Sequence, residues 1–192
     1  MNRPGFTTAR LRAEPVELRH AAAMVEALRD PRIFQFLIDD PPTLEKLERQ
    51  YAFLTAGKSP DGSEHWLTWI LFPHDPSAAP AGFVQATIRE PDTAHVAYVL
   101  SPSHWRKGFG REALTALLDL VFERYRVERA IAEMDTRNEA SIALVRSLGF
   151  VHVQTVKDVA ELKGSSSDEH VFELRRAGWR HRYQSGFSTN LP

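Results

Sequence analysis

The chain has 192 residues, enough for one sizeable domain, and its 43% hydrophobic and 26% charged residues are typical of an ordinary globular protein. The formal net charge of −1 provides no strong field for nucleic acid or an anionic membrane, and the lack of cysteine excludes disulfides, zinc–thiolate sites and a catalytic thiol. Residues 1–12 contain no apolar segment typical of a secretory signal, and no run is long enough to span a bilayer. We therefore expect a cytoplasmic protein without a metal site and without a membrane or nucleic-acid partner.

Apolar residues recur at the spacing of helices and strands through the first half of the chain. The predicted elements are a strand over 6–13, helices over 17–29, 31–37 and 43–56, and strands over 64–72 and 82–89. Residues 64–72 are apolar on both faces, as expected for a central strand that is covered on both sides. Residues 82–89 alternate with the two-residue period of a strand.

The second half of the chain alternates strands and helices without a linker that would divide it. The predicted elements are a strand over 94–100, a helix over 112–125, a strand over 129–135, a helix over 138–148, and a hairpin of strands over 150–162 and 170–175 with a loop over 164–168. We expect one domain over 1–176 and an aromatic, basic extension over 177–192. The extension can pack across a dimer or fray, and both interpretations stay open.

A glycine-rich basic turn, His104-Trp105-Arg106-Lys107-Gly108-Phe109-Gly110-Arg111, separates the strand over 94–100 from the following helix. Backbone N–H groups at a helix N-terminus attract anions, and glycines let a ligand approach the backbone closely. Arg106, Lys107 and Arg111 add positive charge at the same place. The turn therefore predicts a site for a di- or polyanion, most readily a pyrophosphate.

Two other interpretations of the glycines stay open. Gly108 and Gly110 suit an ordinary strand-to-helix turn, and residues 108–113 also match a relaxed dinucleotide-binding fingerprint. The glycines follow the strand only after several residues and lie in the middle of the chain, whereas that fingerprint belongs in the tight turn of an initial βαβ unit.

Three motifs together make the chain resemble the GNAT superfamily of acyl-CoA-dependent N-acetyltransferases, and within it the RimJ/RimL-like branch. They are the glycine turn, Asn138-Glu139-Ala140-Ser141 and Leu148-Gly149-Phe150, and the opening Thr8-Ala9-Arg10-Leu11 is also similar to that branch. The family's cofactor signature begins with Gln or Arg where this chain has Trp105, a departure that is also typical of the branch. The resemblance extends over residues 8–175.

The resemblance implies an α/β fold with a mixed, twisted sheet of about seven strands, flanking helices, and fourth and fifth strands that splay apart. Acetyl-CoA would lie in that cleft as co-substrate, with its pantetheine arm along the backbone of Tyr98, Val99 and Leu100. Its pyrophosphate would contact the turn residues Arg106, Lys107, Gly108, Phe109, Gly110 and Arg111. Asn138 would hydrogen-bond the cofactor near the pantetheine.

The resemblance also implies two catalytic residues. Ser141, one helical turn after Asn138, would face the sulfur; it replaces the tyrosine acid of many relatives, whose position is Val145 here. Glu133 lies where some relatives carry a catalytic glutamate and is the first candidate for the base, directly or through water. His95 is the second, because an imidazole titrates near neutral pH. Without a cysteine to carry the acetyl group, the simplest route is direct attack by the amine in a ternary complex.

Each of these residues also has a purely structural interpretation. Asn138 suits a helix N-cap, Ser141 a solvated helix position, and Glu133 an ordinary surface or ion-paired position. We expect an N-acetyltransferase that acts on a primary amine; the alternative is a non-catalytic acyl-CoA-binding module, motivated by the missing tyrosine. The sequence does not distinguish among a ribosomal-protein N-terminus, a free amino acid, a peptide antibiotic, a polyamine and a small xenobiotic amine as acceptor, and it leaves a homodimer open.

Overall fold

One mixed sheet of eight strands organises residues 3–89 and 92–179, which are the residues that this computed structural model describes. The strands are β1 (Phe6–Thr7), β2 (Leu11–Pro15), β3 (Glu64–Pro73), β4 (Gly82–Arg89), β5 (Thr93–Leu100), β6 (Arg129–Asp135), β7 (Val151–Leu162) and β8 (Ser165–Arg175). The helices are α1 (Ala21–Ala27), α2 (Leu44–Leu54), α3 (Phe109–Asp119) and α4 (Glu139–Ser147). The strand order is β1-β2-β3-β4-β5-β6-β8-β7, and among these described strands only β5 and β6 pair in parallel.

The two faces of the sheet are covered by different helices, which gives two hydrophobic clusters. The larger cluster packs α3 and α4 against one face and includes Leu67, Trp69 and Leu71 of β3. The smaller cluster packs α1 and α2 against the other face and includes Ile70 of the same strand. Alternate residues of β3 thus enter opposite clusters, which confirms the prediction of a central strand covered on both sides.

The parallel strands β5 and β6 are paired over only a short distance. Residues 93–95 of β5 lie opposite residues 129–131 of β6, and the two strands do not pair beyond them. Each strand keeps its other neighbour, since β5 pairs with β4 as far as Leu100 and β6 pairs with β8 as far as Asp135. The splay expected between the fourth and fifth strands is therefore present, between strands that are β5 and β6 here.

The single N-terminal strand predicted over 6–13 is wrong, because this segment forms the hairpin of β1 and β2. Thr8 reverses the chain: its hydroxyl accepts a hydrogen bond from the N–H of Leu11 at 3.0 Å, and its own N–H donates to the Leu11 carbonyl at 2.8 Å. A side chain that closes a turn in this way competes with an extended strand. The hairpin supplies the eighth strand of a sheet for which about seven were expected.

The first helices are shorter than their apolar spacing suggests. The segment 17–29 divides into a 3₁₀ turn at Leu18–His20 and α1, and the segment 31–37 is helical only as a 3₁₀ turn at Pro31–Phe34. Asp30 caps this second turn by accepting the N–H of Arg32 at 2.9 Å. None of the helices in the described ranges is long and apolar enough to cross a membrane.

The C-terminal hairpin has a tighter turn than predicted. The loop expected over 164–168 is wrong: only Lys163 and Gly164 form the turn, both with positive φ (51° and 81°), and β8 starts directly after them. Ser167 lies in β8, where its hydroxyl donates to Asp135 of β6 at 2.7 Å. This contact between distant segments outweighs the loop-forming composition of the local sequence.

Strand β7 forms the edge of the sheet beside β8. Its register against β8 shifts twice, within 152–154 and within 156–160, and Asp158 in the second shift has a φ of 52°. Val151 and Val153 on this strand are 64% and 54% exposed. The register shifts bend the strand and interrupt its regular pairing.

The start of the predicted C-terminal extension packs onto the domain. Trp179 is buried, its ring centroid lies 6.3 Å from that of Phe122, and its indole N–H donates to Asp119 at 2.8 Å. Residues 180–192, which make up the rest of the extension, lie outside the described residues.

Gly82, at the start of β4, occupies a position where only glycine fits. Its φ is 141°, and a Cβ there would lie 2.0 Å from the carbonyl oxygen of Val99 on β5. We expect Gly82→Ala to lower the free energy of unfolding by about 3 kcal/mol, because the paired strands must shift to admit the methyl group. Gly62→Ala is the matched control: Gly62 has a φ of 77° but no atom within 4 Å of the added Cβ. Urea unfolding of both variants measures the difference, and equal losses of stability would contradict the collision.

Candidate functional site

The glycine turn leads into an uncapped helix N-terminus. β5 ends at Leu100, a 3₁₀ turn spans Pro102–His104, and α3 begins at Phe109, earlier than the helix predicted over 112–125. Gly108 occupies the N-cap position with a φ of 81°, a conformation that glycine adopts without strain, and among the described residues no side chain caps the first turn. The N–H groups of this turn are therefore available to an anion.

Three cations surround this helix N-terminus. Arg106, Lys107 and Arg111 are exposed, and within the described ranges none of them forms an ion pair. Positive charge beside available N–H groups favours a polyanion such as a pyrophosphate. The structure thus brings together the basic residues that the sequence predicts for this site.

Trp105, at the first position of the glycine motif, holds the turn against the strand. Its indole N–H donates to the carbonyl of Leu100, at the end of β5, at 2.7 Å. The guanidinium carbon of Arg32 lies 5.8 Å from the centroid of its ring. This hydrogen bond gives Trp105 a structural role at a position where the family signature has Gln or Arg.

The N-terminal hairpin holds the other side of the turn, a contact that the sequence did not predict. Arg10 donates from Nε to Glu112 at 2.6 Å and from Nη1 to the carbonyl of Lys107 at 2.8 Å. The hydroxyl of Thr8 and the backbone N–H of Arg10 donate to the same oxygen of Glu112, at 2.5 and 2.7 Å. The Arg10 guanidinium also lies 4.4 Å from the centroid of the Phe109 ring. The opening Thr8-Ala9-Arg10-Leu11 was the available sequence signal for this contact. It indicated a family likeness but not a contact with the glycine turn.

Glu112 is the centre of this network. Burial of its carboxyl opposes ionisation, but hydrogen bonds from Thr8 and Arg10, together with the Arg10 charge, outweigh burial and hold the pKa of Glu112 below its usual value. The ionised carboxylate therefore ties the hairpin to the first turn of α3 at neutral pH.

Gly110 lies in a contact between helices, not against open space. A Cβ at this position would lie 3.1 Å from Cδ2 of Leu144 on α4 and 3.5 Å from Cδ1 of Leu100. The missing side chain lets the start of α3 approach α4 and the end of β5. This close packing is a different reason for the glycine from the ligand approach that the sequence suggested.

The residues of β5 that were predicted to bind a cofactor lie in its unpaired segment. Tyr98, Val99 and Leu100 have no partner on β6, so the backbone groups that point toward β6 are open to a ligand. The hydroxyl of Tyr98 is buried without a well-formed hydrogen bond to the described residues. Burial raises the pKa of Tyr98, and an interaction with the Ser141 hydroxyl partly offsets this rise.

Asn138 caps α4. Its side-chain Oδ1 accepts a hydrogen bond from the N–H of Ser141 at 3.1 Å. Capping uses the side-chain oxygen and leaves the NH₂ group for a ligand, so capping and cofactor binding are compatible. Ser141 is half-buried and faces the Tyr98 hydroxyl, so the start of α4 lies beside the open segment of β5.

The two candidate bases form a pair where the splay begins. Nδ1 of His95 lies 3.1 Å from Oε2 of Glu133, and the two side chains are 27% and 41% exposed. His95 is also the last residue of β5 that pairs with β6. The hydrogen bond from His95 lowers the pKa of Glu133 against the opposing effect of burial. Because a carboxylate with a lowered pKa is a weaker base, the pair is a better candidate than Glu133 alone.

A cleft of about 440 Å³ opens on the face of the sheet that α1 and α2 cover, and Val99 and Asp135 place it next to the splay. The segment 34–42, α2, β4, β5 and the hairpin of β7 and β8 supply its walls. Glu169 of β8 lines this cleft and was not predicted as a site residue. No sequence pattern indicated it, because it falls between the predicted loop and the predicted last strand.

Comparison with known proteins places these features in a family. The family model of the acetyltransferase (GNAT) domain matches residues 10–151. The uncharacterized N-acetyltransferase p20 of Bacillus licheniformis is 28% identical over 167 residues, which cover 87% of this chain and 93% of that protein.

Solved structures share the fold at lower identity. RimL, a ribosomal L7/L12 α-N-protein acetyltransferase in complex with coenzyme A, has a TM-score of 0.77 and 20% identity over 92% of this chain and 98% of that chain. Spermidine N-acetyltransferase from Vibrio cholerae, in complex with CoA and spermine, has a TM-score of 0.75 and 17% identity over 88% and 98%. These two likenesses concern the fold, whereas the family model covers the glycine turn, Asn138 and Ser141.

The Glu112 network generates a pH-dependent prediction. Because the pKa of Glu112 is lower in the folded than in the unfolded protein, its ionised form stabilises the fold at neutral pH, and this contribution is lost as pH falls through the folded-state pKa. We expect Glu112→Gln to lower the free energy of unfolding by about 1–3 kcal/mol at pH 7, with a smaller difference from the wild type at about pH 3.

Urea titrations at both pH values measure this effect. Glu48→Gln, at an exposed position on α2, is the matched control and should change stability little at either pH. If the loss in Glu112→Gln were the same at both pH values, the charge of Glu112 would not be the stabilising feature.

Proposed function

The chain belongs to the GNAT acetyltransferase family, whose members use acetyl-CoA as co-substrate, and we propose that it transfers the acetyl group to a primary amine by direct attack in a ternary complex. The observation that carries this proposal is the open segment between β5 and β6 beside the uncapped, cation-lined N-terminus of α3. A strand-like ligand arm that ends in a pyrophosphate has the shape and charge to occupy both features.

The proposed cofactor contacts follow from the chemistry of these two features. The amides of the pantetheine arm pair with the open backbone of Tyr98, Val99 and Leu100, and the Asn138 side chain donates to the arm. The pyrophosphate binds at the turn, where N–H groups and cations meet; its residues are Arg106, Lys107, Gly108, Phe109, Gly110 and Arg111. Affinity then rests on backbone geometry in one half of the site and on charge in the other.

The transfer step needs a neutral amine, a polarised carbonyl and an exit for the thiolate. The amine nitrogen forms a bond to the thioester carbon, and the carbon–sulfur bond breaks. The proton of the amine passes to the pair of His95 and Glu133, through water, with the Glu133 carboxylate orienting the imidazole. An N–H of the open β5 segment stabilises the oxyanion, and the Ser141 hydroxyl donates a hydrogen bond to the departing sulfur.

A non-catalytic acyl-CoA-binding module with this fold is the less favoured alternative. Its motivation was Val145, which stands where many relatives have a tyrosine acid. The structure offers another source of hydroxyl groups near that position, since Ser141 lies beside the buried Tyr98 hydroxyl. The similarity to the N-acetyltransferase p20 of Bacillus licheniformis also favours the enzyme.

Arg106→Ala and Arg111→Ala test the anion site. Each variant removes one unpaired cation, so we expect each to weaken acetyl-CoA binding by about three- to tenfold and to reduce the salt dependence of the affinity. Isothermal titration with acetyl-CoA and desulfo-CoA at two ionic strengths measures both effects. Arg124→Ala, in the π-helical turn Leu120–Arg124 that directly follows α3, is the matched control and should keep wild-type affinity. Unchanged affinity in both test variants would show that the pyrophosphate does not bind at this turn.

Ser141→Ala and Glu133→Gln separate transfer from binding. We expect kcat to fall by about 100-fold in each variant, while the Kd of acetyl-CoA stays near the wild-type value, because neither side chain carries a charge that binds the pyrophosphate. Release of the CoA thiol in the presence of an amine measures kcat, and titration calorimetry measures Kd. Parallel losses of rate and affinity would indicate a structural role, and wild-type rates would refute both catalytic assignments.

A further inference from the structure

The cleft beside the splay is the place where an acceptor amine can reach the thioester. The structures with this fold include a protein acetyltransferase and a spermidine acetyltransferase, so the class of acceptor has to be read from the cleft of this chain. Its lining includes Phe83 and Val99 of the sheet and residues of the segment 34–42 and of the C-terminal hairpin. The chemistry of these side chains limits what can bind.

Apolar side chains dominate the walls of the cleft. Phe34, Leu47 and Tyr51 line it and are buried in the smaller hydrophobic cluster. Further out, Leu37, Ile38 and Val159 also line it, although their side chains are 38%, 74% and 42% exposed. Apolar residues that line a cleft and remain exposed to water gain free energy when an apolar ligand covers them. The cleft therefore suits a ligand with an apolar body.

Most of the charged groups around the cleft already have partners. Asp39 pairs with Lys46 and Asp40 with Lys163, each at 2.5 Å. Asp135 accepts two hydrogen bonds from the Arg137 side chain, at 2.8 and 2.6 Å, and one from Ser167 at 2.7 Å. Hydrogen bonds from Arg137 hold the pKa of Asp135 far below its usual value. These carboxylates already have cationic partners within the protein.

Glu169 differs from these carboxylates. It is half-buried in the cleft lining, and in the described part of the chain its carboxylate has neither a hydrogen-bond donor nor an ion-pair partner. Burial raises its pKa, and the nearby charges of Glu133 and Asp135 add to the rise. A cation placed against Glu169 would relieve both effects, because it supplies a partner that the described residues do not provide.

Glu169 also lies close to the proposed chemistry. It sits directly opposite Asp135 in the pairing of β8 with β6, and Glu133 lies two residues further along β6 on the same face. Residues at such diagonal positions are roughly 7–8 Å apart. An ammonium held by Glu169 would therefore be near the pair of Glu133 and His95, which can pass its first proton through water to solvent before the neutral amine attacks.

We propose that the acceptor is a small primary amine that carries a single positive charge on an apolar body, and that Glu169 binds its ammonium group. This inference rests on the proposed transfer reaction and names its substrate class. A polyamine would bring further charges into a cleft whose other carboxylates are already paired. A free amino acid would bring a carboxylate next to Glu169 and Asp135, where like charges repel. Glu169 is thus a binding residue that determines specificity.

A transfer assay with matched amines tests the substrate class. The thiol released from acetyl-CoA is measured with 2-phenylethylamine, spermidine, phenylalanine and a peptide with a free N-terminus. We expect kcat/KM for 2-phenylethylamine to exceed each of the others by about tenfold or more. Preference for spermidine, phenylalanine or the peptide would overturn the inference and leave the proposed acetyl transfer standing.

A binding assay without turnover tests the role of Glu169 independently of activity. In protein saturated with desulfo-CoA, which carries no acetyl group, titration calorimetry measures the affinity for 2-phenylethylamine and for its neutral analogue 2-phenylethanol. We expect Glu169→Gln to weaken the amine by about tenfold and to leave the alcohol unchanged, because only the charge differs. The protein should also keep its thermal stability, since the substitution removes a carboxylate that has no partner in residues 3–89 and 92–179.

Control variants make each outcome decisive. Glu161→Gln, an exposed carboxylate on β7 outside the cleft lining, should behave as the wild type. Glu169→Asp should recover part of the amine affinity. Equal losses for amine and alcohol in Glu169→Gln, or no loss for either, would overturn the assignment. Binding of the amine without any acetyl transfer would instead refute the proposed function while the cleft assignment remains.

Discussion

Backbone hydrogen bonding between β5 and β6 is the constraint on which the site depends. The strands pair at 93–95 and 129–131 and then separate, so polar backbone groups face a gap instead of a neighbouring strand. The gap cannot be closed by shifting one strand, because β4 holds β5 and β8 holds β6 along their other edges. The open strand edge is therefore already ordered before a ligand binds, so binding does not have to supply the conformational entropy of ordering it.

The helix that meets this edge is positioned by contacts from distant parts of the chain. Glu112 accepts hydrogen bonds from the N-terminal hairpin, Trp105 bonds to the end of β5, and Gly110 allows α4 to approach. Each contact acts on a different side of the turn. The charges that face outward can then remain unpaired, since the turn does not need them for its own conformation.

The sequence predicts what neighbouring residues determine and misses what distant residues determine. The bounds of β4 and β6 match the predicted segments. The apolar pattern of each strand lies within its own segment, so it can be recognised without knowledge of distant residues. Short local motifs likewise identified the candidate site residues, namely the turn residues, Asn138 and Ser141. Their catalytic and cofactor roles remain proposals.

Two of the three failures have the opposite origin. The strand predicted over 6–13 ignored the hydroxyl of Thr8, which turns the chain and reaches Glu112, and the loop predicted over 164–168 ignored Asp135, which holds Ser167 in a strand. Glu169 became a candidate only when the fold placed it in an apolar cleft without a partner. Asp135 is more than thirty residues from Ser167, and Glu169 is defined by the residues that surround it. The turn at Thr8 is local, but it depends on side-chain and backbone hydrogen bonds with Leu11. Hydrophobic periodicity carries none of this information.

The irregular course of β7 has a consequence for assembly. An edge strand of this length, with valines exposed near its start, would normally invite another chain to extend the sheet, which is the first step toward aggregation. The two register shifts and the positive φ of Asp158 interrupt the regular row of backbone hydrogen-bonding groups that an added strand would need. We therefore expect that another chain could extend the sheet along β7 over only a few residues, which would limit edge-to-edge polymerisation.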